Sequence, residues 1–290
     1  ADISAEKCKA LAEAGPFEEL NALDGEGFSA IVKKYNIDTI FNLVALLSAT
    51  GEKNPKLAWD INIGALTNSL YIAKDNNCAV FTPSSIGAFG NDTPKDKTPQ
   101  DTLQRSNTTI YGVCKVTGEL LSDYYFNRFG VDTRSVRFPG LISYVTLPGG
   151  GTTDYAVEIY YDAIRKGSFT CNVKEGTYMD MMYMPDALNA VVQLMEADPS
   201  KLKHRNSFNI ASMSFEPEQI AAEIRKHLPD FKMDYQIDPV KQAIANSWPN
   251  SMDDTCAREE WGWAPKFDLT SMTNDMLIKV KEKFDKGLIK

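Results

Sequence analysis

A tyrosine and a lysine stand four positions apart in Tyr111-Gly-Val-Cys-Lys115. On a helix, positions i and i+4 share one face. An ammonium held beside a phenol favours the phenolate and lowers its pKa from about 10, which makes the tyrosine usable as a general base near neutral pH. The same spacing also occurs in ordinary amphipathic surface pairs, so the surroundings decide its meaning. Ser84 and Ser85 close an apolar run, Cys78–Ser84 (CAVFTPS). Open parallel sheets place their ligands at that end of a strand. Ser48 follows another apolar run in the same way and faces the same crevice. Further on, Gly149-Gly150-Gly151 precedes Thr152-Thr153. Glycines let backbone N–H groups approach an anion, and Thr152 adds a hydroxyl, so a small carboxylate is the natural guest. A mobile surface loop is the other reading of that segment. Trp248 either closes over a substrate or packs as a lobe aromatic.

The elements that must position these residues alternate along the chain. Asp38–Leu47 (DTIFNLVALL) reads as a buried strand, with a helix pattern following from about Pro55 to Asp75. Cys78–Ser84 is a second buried strand, and Ser106–Phe129 a long helix ending at Asn127–Gly130. Asp132–Phe138 is a third strand, stopped by Pro139-Gly140. Strand and helix in alternation predict a parallel sheet covered on both faces. Beyond Pro139 the texture is irregular. A helix is expected over Asp154–Gly167, and short strands over Phe169–Val173, Ser207–Ala211 and Lys232–Ile237. The expected division is a main domain over 1–142 and 186–212 and a smaller lobe over 143–185 and 213–290.

Composition narrows the partners. The net charge is −8 over 290 residues, with no basic block, so nucleic acid is not an expected partner. The longest apolar runs are too short to cross a bilayer. Five cysteines (Cys8, Cys78, Cys114, Cys171, Cys256) without a Cys-x-x-Cys pair suit a reducing compartment. His204 and His227 are the chain's imidazoles, both in charged, helix-like surroundings. Solvated surface histidines are therefore expected there, and no metal site.

A serine at a strand end followed by Tyr-x-x-x-Lys on the next helix resembles the catalytic set of the short-chain dehydrogenases. Thr82–Gly90 (TPSSIGAFG) resembles the extended branch of that family, which also holds epimerases and dehydratases. Asn62 matches an asparagine that braces the fold. Within the branch, Pro148–Tyr160 (PGGGTTDYAVEIY), Ser135–Tyr144 (SVRFPGLISY), Met181–Leu188 (MMYMPDAL), Ser247–Asp254 (SWPNSMDD) and Glu260–Leu269 (EWGWAPKFDL) look like the NAD-dependent L-threonine 3-dehydrogenases.

That resemblance implies an α/β, Rossmann-type doubly wound sheet with a smaller C-terminal substrate lobe, and NAD as cofactor. The implied catalytic set is Ser85, Tyr111 and Lys115. Cofactor contacts are expected from Asp2, Asn21, Ala22, Leu23, Leu43, Ala45, Asn62, Tyr111, Lys115, Pro139 and Leu141. Substrate contacts are expected from Leu46, Ser48, Ser85, Tyr111, Gly150, Thr152 and Trp248. The implied reaction is oxidation of L-threonine at C3 to 2-amino-3-oxobutanoate. A nucleotide-sugar 4-epimerase or dehydratase is the alternative enzyme, and a non-catalytic NAD-sensing protein the alternative from another class. Family members commonly form homodimers through the tyrosine helix, for which Leu120, Leu121, Tyr124 and Tyr125 are candidates, though core packing would use them equally. The expected compartment is mitochondrial in a eukaryote and cytoplasmic in a bacterium.

A dinucleotide site of this kind needs Gly-x-x-Gly-x-x-Gly between its first strand and first helix. No such run occurs in the first hundred residues. Ala1-Asp2-Ile3-Ser4 resembles the end of the second strand, where Asp2 would bind the adenosine ribose and disfavour a 2′-phosphate. The expectation is that one strand, the loop and one helix, roughly 30 residues, are absent through truncation, disorder or renumbering. A chain truncated there would bind NAD poorly, which a titration checks.

Overall fold

The computed structural model describes residues 1–4, 6, 14–103 and 106–289. Its sheet is built from short strands. β1 (Thr39–Phe41) pairs in parallel with β2 (Ala79–Phe81), which pairs with β4 (Thr133–Arg134). The same direction continues through β3 (Ser84–Ser85), which pairs with β5 (Val136–Phe138), itself paired in parallel with β9 (Phe208–Asn209). The break between β2 and β3 falls at Thr82-Pro83, where proline has no N–H for the ladder. Adjacent residues of β2 enter different cores: Val80 packs with α1 (Gly25–Lys34) and α3 (Pro55–Asn76), while Phe81 packs with α6 (Met184–Glu196). That alternation is the pleat of a sheet covered on both faces.

Caps explain where the helices begin and end. Asn54 accepts a hydrogen bond from the Leu57 N–H at 3.1 Å, and Pro55 takes the first position of α3. Thr109 Oγ1 accepts from the Gly112 N–H at 3.0 Å and opens α4 (Ile110–Phe129). Gly130 closes α4 at φ 72°, a left-handed position that suits glycine.

Several expectations are corrected. The strand predicted over Asp38–Leu47 is only three residues long, and Leu43, Val44 and Leu47 are exposed. Ser48–Lys53 forms a short helix, α2, that no sequence signal announced. The third strand does not stop at Pro139-Gly140. It resumes as β6 (Gly140–Ile142) and pairs with β8 (Met179–Tyr183), a fully buried strand absent from the sequence reading. Proline here costs one ladder bond without ending the strand direction. β8 also pairs, antiparallel, with β10 (Met213–Phe215). The expected helix starts with a 3-10 turn at Thr152–Asp154 and continues as α5 (Tyr155–Lys166). β7 (Ser168–Cys171) pairs with β11 (Lys232–Tyr235). The largest apolar core lies in this second region, around Tyr155, Tyr160, Met179 and Phe215. Between β10 and β11 runs α7 (Pro217–His227), and beyond β11 come α8 (Pro239–Ser247), α9 (Thr255–Trp261) and α10 (Leu269–Asp285).

Among the described residues no helix is long and apolar enough to cross a membrane. Cys78, Cys114, Cys171 and Cys256 are free thiols, and Cys8 lies outside the described residues.

Candidate active site

Parallel strands bring their carboxyl ends to one edge, and a cavity of about 690 Å³ opens there. Ser85 reaches it from the end of β3, and Tyr111 and Lys115 from consecutive turns of α4. Two glycines permit this approach. A Cβ on Gly87 would lie 3.3 Å from Tyr111 Cε1 and 3.5 Å from Ser85 Oγ. A Cβ on Gly112 would lie 2.5 Å from the Gly87 carbonyl and 2.0 Å from Ser106 Oγ. Helix and turn therefore touch backbone to backbone, and Tyr111 lies against the turn that carries Ser85. Ser85 Oγ also accepts the Gly87 N–H at 3.1 Å, which fixes its rotamer. The Lys115 ammonium lies 5.2 Å from the centre of the Tyr111 ring and donates to the Pro83 carbonyl.

A third residue occupies the same helix face one turn further on. Glu119 is buried and lines the cavity. Ser84 Oγ donates to it, and Arg137 Nε and Nη2 grip both its oxygens at 3.1 and 2.9 Å. Arg137 is held in turn by the Gln100 carbonyl, Asn209 Oδ1 and the Phe89 ring. This network ties α4 to β3, β5 and β9. Its position, i+8 from Tyr111, was readable from the helix period but was not singled out.

Asn62 braces the loop after β1. Its Oδ1 accepts the Leu46 N–H at 2.7 Å, and its Nδ2 donates to the Leu46 carbonyl at 3.2 Å. Leu43, Ala45, Ser48, Asn62, Pro139, Leu141, Thr152 and Trp248 all line the cavity. Leu46 does not, and both its backbone N–H and its carbonyl are bonded to Asn62. Trp248 is 8% exposed and packs in the second core, as the lobe-aromatic reading has it, and it also lines the cavity.

The glycine loop does not form the anion cradle expected of it. The Gly150 and Gly151 N–H groups both donate to Asp154 Oδ2, at 2.7 and 2.5 Å. An internal carboxylate thus takes the place of a guest anion, and Gly150 is not among the cavity-lining residues. Thr152 is different: its Oγ1 is buried, faces no protein partner and belongs to the cavity wall. Thr82 Oγ1 and Ser135 Oγ, also in lining residues, are likewise without a protein partner. These hydroxyls are left without a protein partner, so the cavity wall keeps unused polar capacity. They fit the nicotinamide-ribose part of a dinucleotide beside a small hydroxylated substrate.

Asp2, Asn21, Ala22 and Leu23 are brought together elsewhere. Asp2 bridges in parallel with Glu19, and its carboxylate accepts the Ser4 N–H at 2.9 Å. Asn21 Oδ1 accepts from Leu23 N, and the Ala22 carbonyl accepts from Asn68 of α3 at 2.9 Å. None of the four lines the cavity. The imidazoles also divide. His227 is exposed in the last turn of α7, whereas His204 is half-buried in a loop and paired with Glu260.

Comparison with known proteins agrees with this geometry. A family model described as NAD dependent epimerase/dehydratase family matches residues 2–211. An uncharacterized epimerase/dehydratase of Staphylococcus haemolyticus is 60% identical over 269 residues, 93% of this chain and 84% of that protein. The structure of L-threonine dehydrogenase from Clostridium difficile is similar with a TM-score of 0.94 and 56% identity, covering 97% of this chain and 88% of that one. The GalE-like L-threonine dehydrogenase from Cupriavidus necator, in its holo form, has a TM-score of 0.89 and 45% identity over 95% of each chain. With more than half its length under the family model and its serine, tyrosine and lysine gathered at one sheet edge, the chain belongs to the NAD dependent epimerase/dehydratase family.

Proposed function

We propose that the protein is an NAD-dependent L-threonine 3-dehydrogenase, an oxidoreductase that converts L-threonine to 2-amino-3-oxobutanoate. The observation that carries this reading is the convergence of Ser85, Tyr111 and Lys115 on one cavity whose wall also holds the unpartnered Thr152 hydroxyl. Bound NAD would supply the hydride acceptor for C3 of the substrate. Ser85 Oγ hydrogen-bonds the substrate hydroxyl and orients it. Tyr111 is the general base that takes the hydroxyl proton at its own oxygen. The Lys115 ammonium stands beside the Tyr111 ring and would hold the nicotinamide ribose. Leu43, Ala45, Pro139 and Leu141 form the apolar bed of the nicotinamide half, and Asn62 keeps the loop beneath it in place. Asp2 and Asn21–Leu23 serve the adenosine end. Ser48, Thr152 and Trp248 enclose the amino acid, with Leu46 and Gly150 contributing through the loops they belong to.

We assign residues 1–142 and 186–212 to the dinucleotide domain and 143–185 and 213–290 to the substrate lobe. The parallel pairing of β9 with β5 supports this division. The exposed Leu120 and Tyr124 on α4 and the exposed Tyr71 on α3 support a homodimer through these helices. Tyr125 is buried and Leu121 packs against the core, so those two residues serve the interior. The staphylococcal relative argues against a mitochondrial address, and a bacterial cytoplasm is the compartment proposed.

The deciding experiment offers NAD with L-threonine or with a UDP-sugar and follows reduced nicotinamide and products. Reduction with threonine alone supports the reading. Sugar turnover without net reduction favours the epimerase, and no turnover of either substrate favours the sensor.

A further inference from the structure

A second cavity of about 420 Å³ lies beyond the Glu119–Arg137 pair. It is lined by polar groups, including Asp101, Asp123, His204 and Asn206. At its edge a nitrogen, a sulfur and a carboxylate converge. The ligand atoms of His204, Cys256 and Glu260 all lie within 4.8 Å of one another. Cys256 and Glu260 are one turn apart on α9, so they project from one face. His204 comes from the loop before β9.

Each group is already oriented. Glu260 Oε2 accepts the backbone N–H groups of Lys203 and His204, at 2.5 and 3.1 Å. That leaves Oε1 facing His204 Nδ1, to which it is hydrogen-bonded. The other ring nitrogen, Nε2, faces Asp101 Oδ2 at 3.4 Å. The Phe208 ring packs edge-on against the imidazole, with centroids 6.1 Å apart. A histidine with one nitrogen toward other donors and the second on a carboxylate has the arrangement of a metal ligand with its supporting shell.

We infer that His204 Nδ1, Cys256 Sγ and Glu260 Oε1 form a binding site for a divalent cation of the zinc type, with Asp101 orienting the histidine. A nitrogen–sulfur–oxygen set favours zinc or cobalt over magnesium or calcium, which prefer oxygen alone. In a tetrahedral zinc site, donors stand about 3.3–3.7 Å apart. Closing this set therefore needs shifts of about 1 Å, and the hydrogen bond between Nδ1 and Oε1 opens as the ion enters. The Cys256 thiol and His204 Nδ1 each release a proton to solvent as they take the ion, the Nε2–H stays on Asp101, water fills the fourth position, and no electron is transferred. The ion joins α9 to the loop before β9. It is a structural clamp outside the cavity that holds Tyr111.

The test is a zinc titration of metal-free protein in a non-thiol reductant, read by competition with a chromophoric chelator. One tight Zn2+ per chain is expected, unaffected by excess Mg2+. Cys256→Ser and His204→Gln, checked for folding by circular dichroism, should each lose that binding. Asp101→Asn should weaken it by about 10–100-fold, the usual effect of removing a supporting carboxylate. Co2+ in place of Zn2+ should give a thiolate-to-cobalt charge-transfer band in the wild type, and none in Cys256→Ser. Equal zinc affinity in wild type and Cys256→Ser, or a cobalt spectrum without the thiolate band, overturns the site.

Discussion

The two cavities share a wall residue, Glu119, and use the same local device for different ends. On α4, Tyr111 and Lys115 stand one turn apart; on α9, Cys256 and Glu260 do. The first pair opens onto a mainly apolar cavity at the ends of parallel strands. The second pair meets a half-buried histidine and carboxylates, where donors can surround an ion. One helical spacing thus acquires its chemistry from what the sheet and loops place opposite it. Glu119 and Arg137 keep the two environments apart by tying α4 to β3 and β5.

The comparison can be broken most directly at the tyrosine. Tyr111→Phe should lower kcat by about 10²–10⁴-fold, the usual worth of a positioned base, with KM little changed. Steady-state kinetics with L-threonine checks this. Near-normal turnover would remove Tyr111 as the base, while unchanged zinc affinity in the same variant would keep the two sites independent. Next in size is the wall. Arg137→Met takes the bidentate partner from a buried carboxylate and should cost about 3–5 kcal/mol of stability in a urea titration. A loss below about 1 kcal/mol, typical of an exposed pair, would deny Glu119 its role as an anchor.

A smaller effect is expected at the contact between helix and turn. Gly112→Ala places a Cβ against the Gly87 carbonyl and should cost about 1–3 kcal/mol through strain. It should also lower kcat more than Tm loss alone explains, because α4 must move away from Ser85. Unchanged kcat would mean that the close approach does not set the geometry of Tyr111.

The smallest effect concerns the segment that carries Trp248. Asp180 accepts the Met252 N–H at 2.9 Å, and burial, aided by the nearby Asp254 carboxylate, pushes its carboxyl up to about 8. The folded chain then holds a proton that the unfolded chain, with an ordinary carboxyl near 3.8, gives up. Between these two values the unfolded state binds fewer protons, so stability falls as pH rises from about 4 to about 8. Asp180→Asn keeps an acceptor for Met252 and removes the titration. Its Tm should match the wild type near pH 4 and exceed it by a few degrees at pH 9. Parallel Tm–pH curves for the two proteins would contradict the burial of a neutral carboxyl there.

Much of the catalytic face could be read from the chain. The i, i+4 relation of Tyr111 and Lys115 is a property of any α-helix, and the apolar run before Ser85 marked a strand end. Asn54-Pro55 and Gly130 fixed helix limits through local backbone chemistry. Other parts could not be read this way. Nothing local distinguishes Gly150 and Gly151 as anion cradles from Gly150 and Gly151 as donors to Asp154, since both uses need the same bare N–H groups. β8 carries no polar alternation because both its faces are buried, so its period was silent. The cluster joins His204 to a Cys256–Glu260 pair more than fifty positions away, and each residue alone reads as an ordinary surface or core residue.

By itself the sequence determined the alternation of strand and helix, the helix face that bears Tyr111 and Lys115, and the serine that stands before them. These follow from periods of two and of 3.6 residues and from caps acting over a few positions. Only the tertiary structure decided which hydroxyls are left without partners, which glycine N–H groups are already occupied, and which distant donors meet. Those outcomes depend on the packing of segments far apart in the chain, and no local backbone preference encodes that packing.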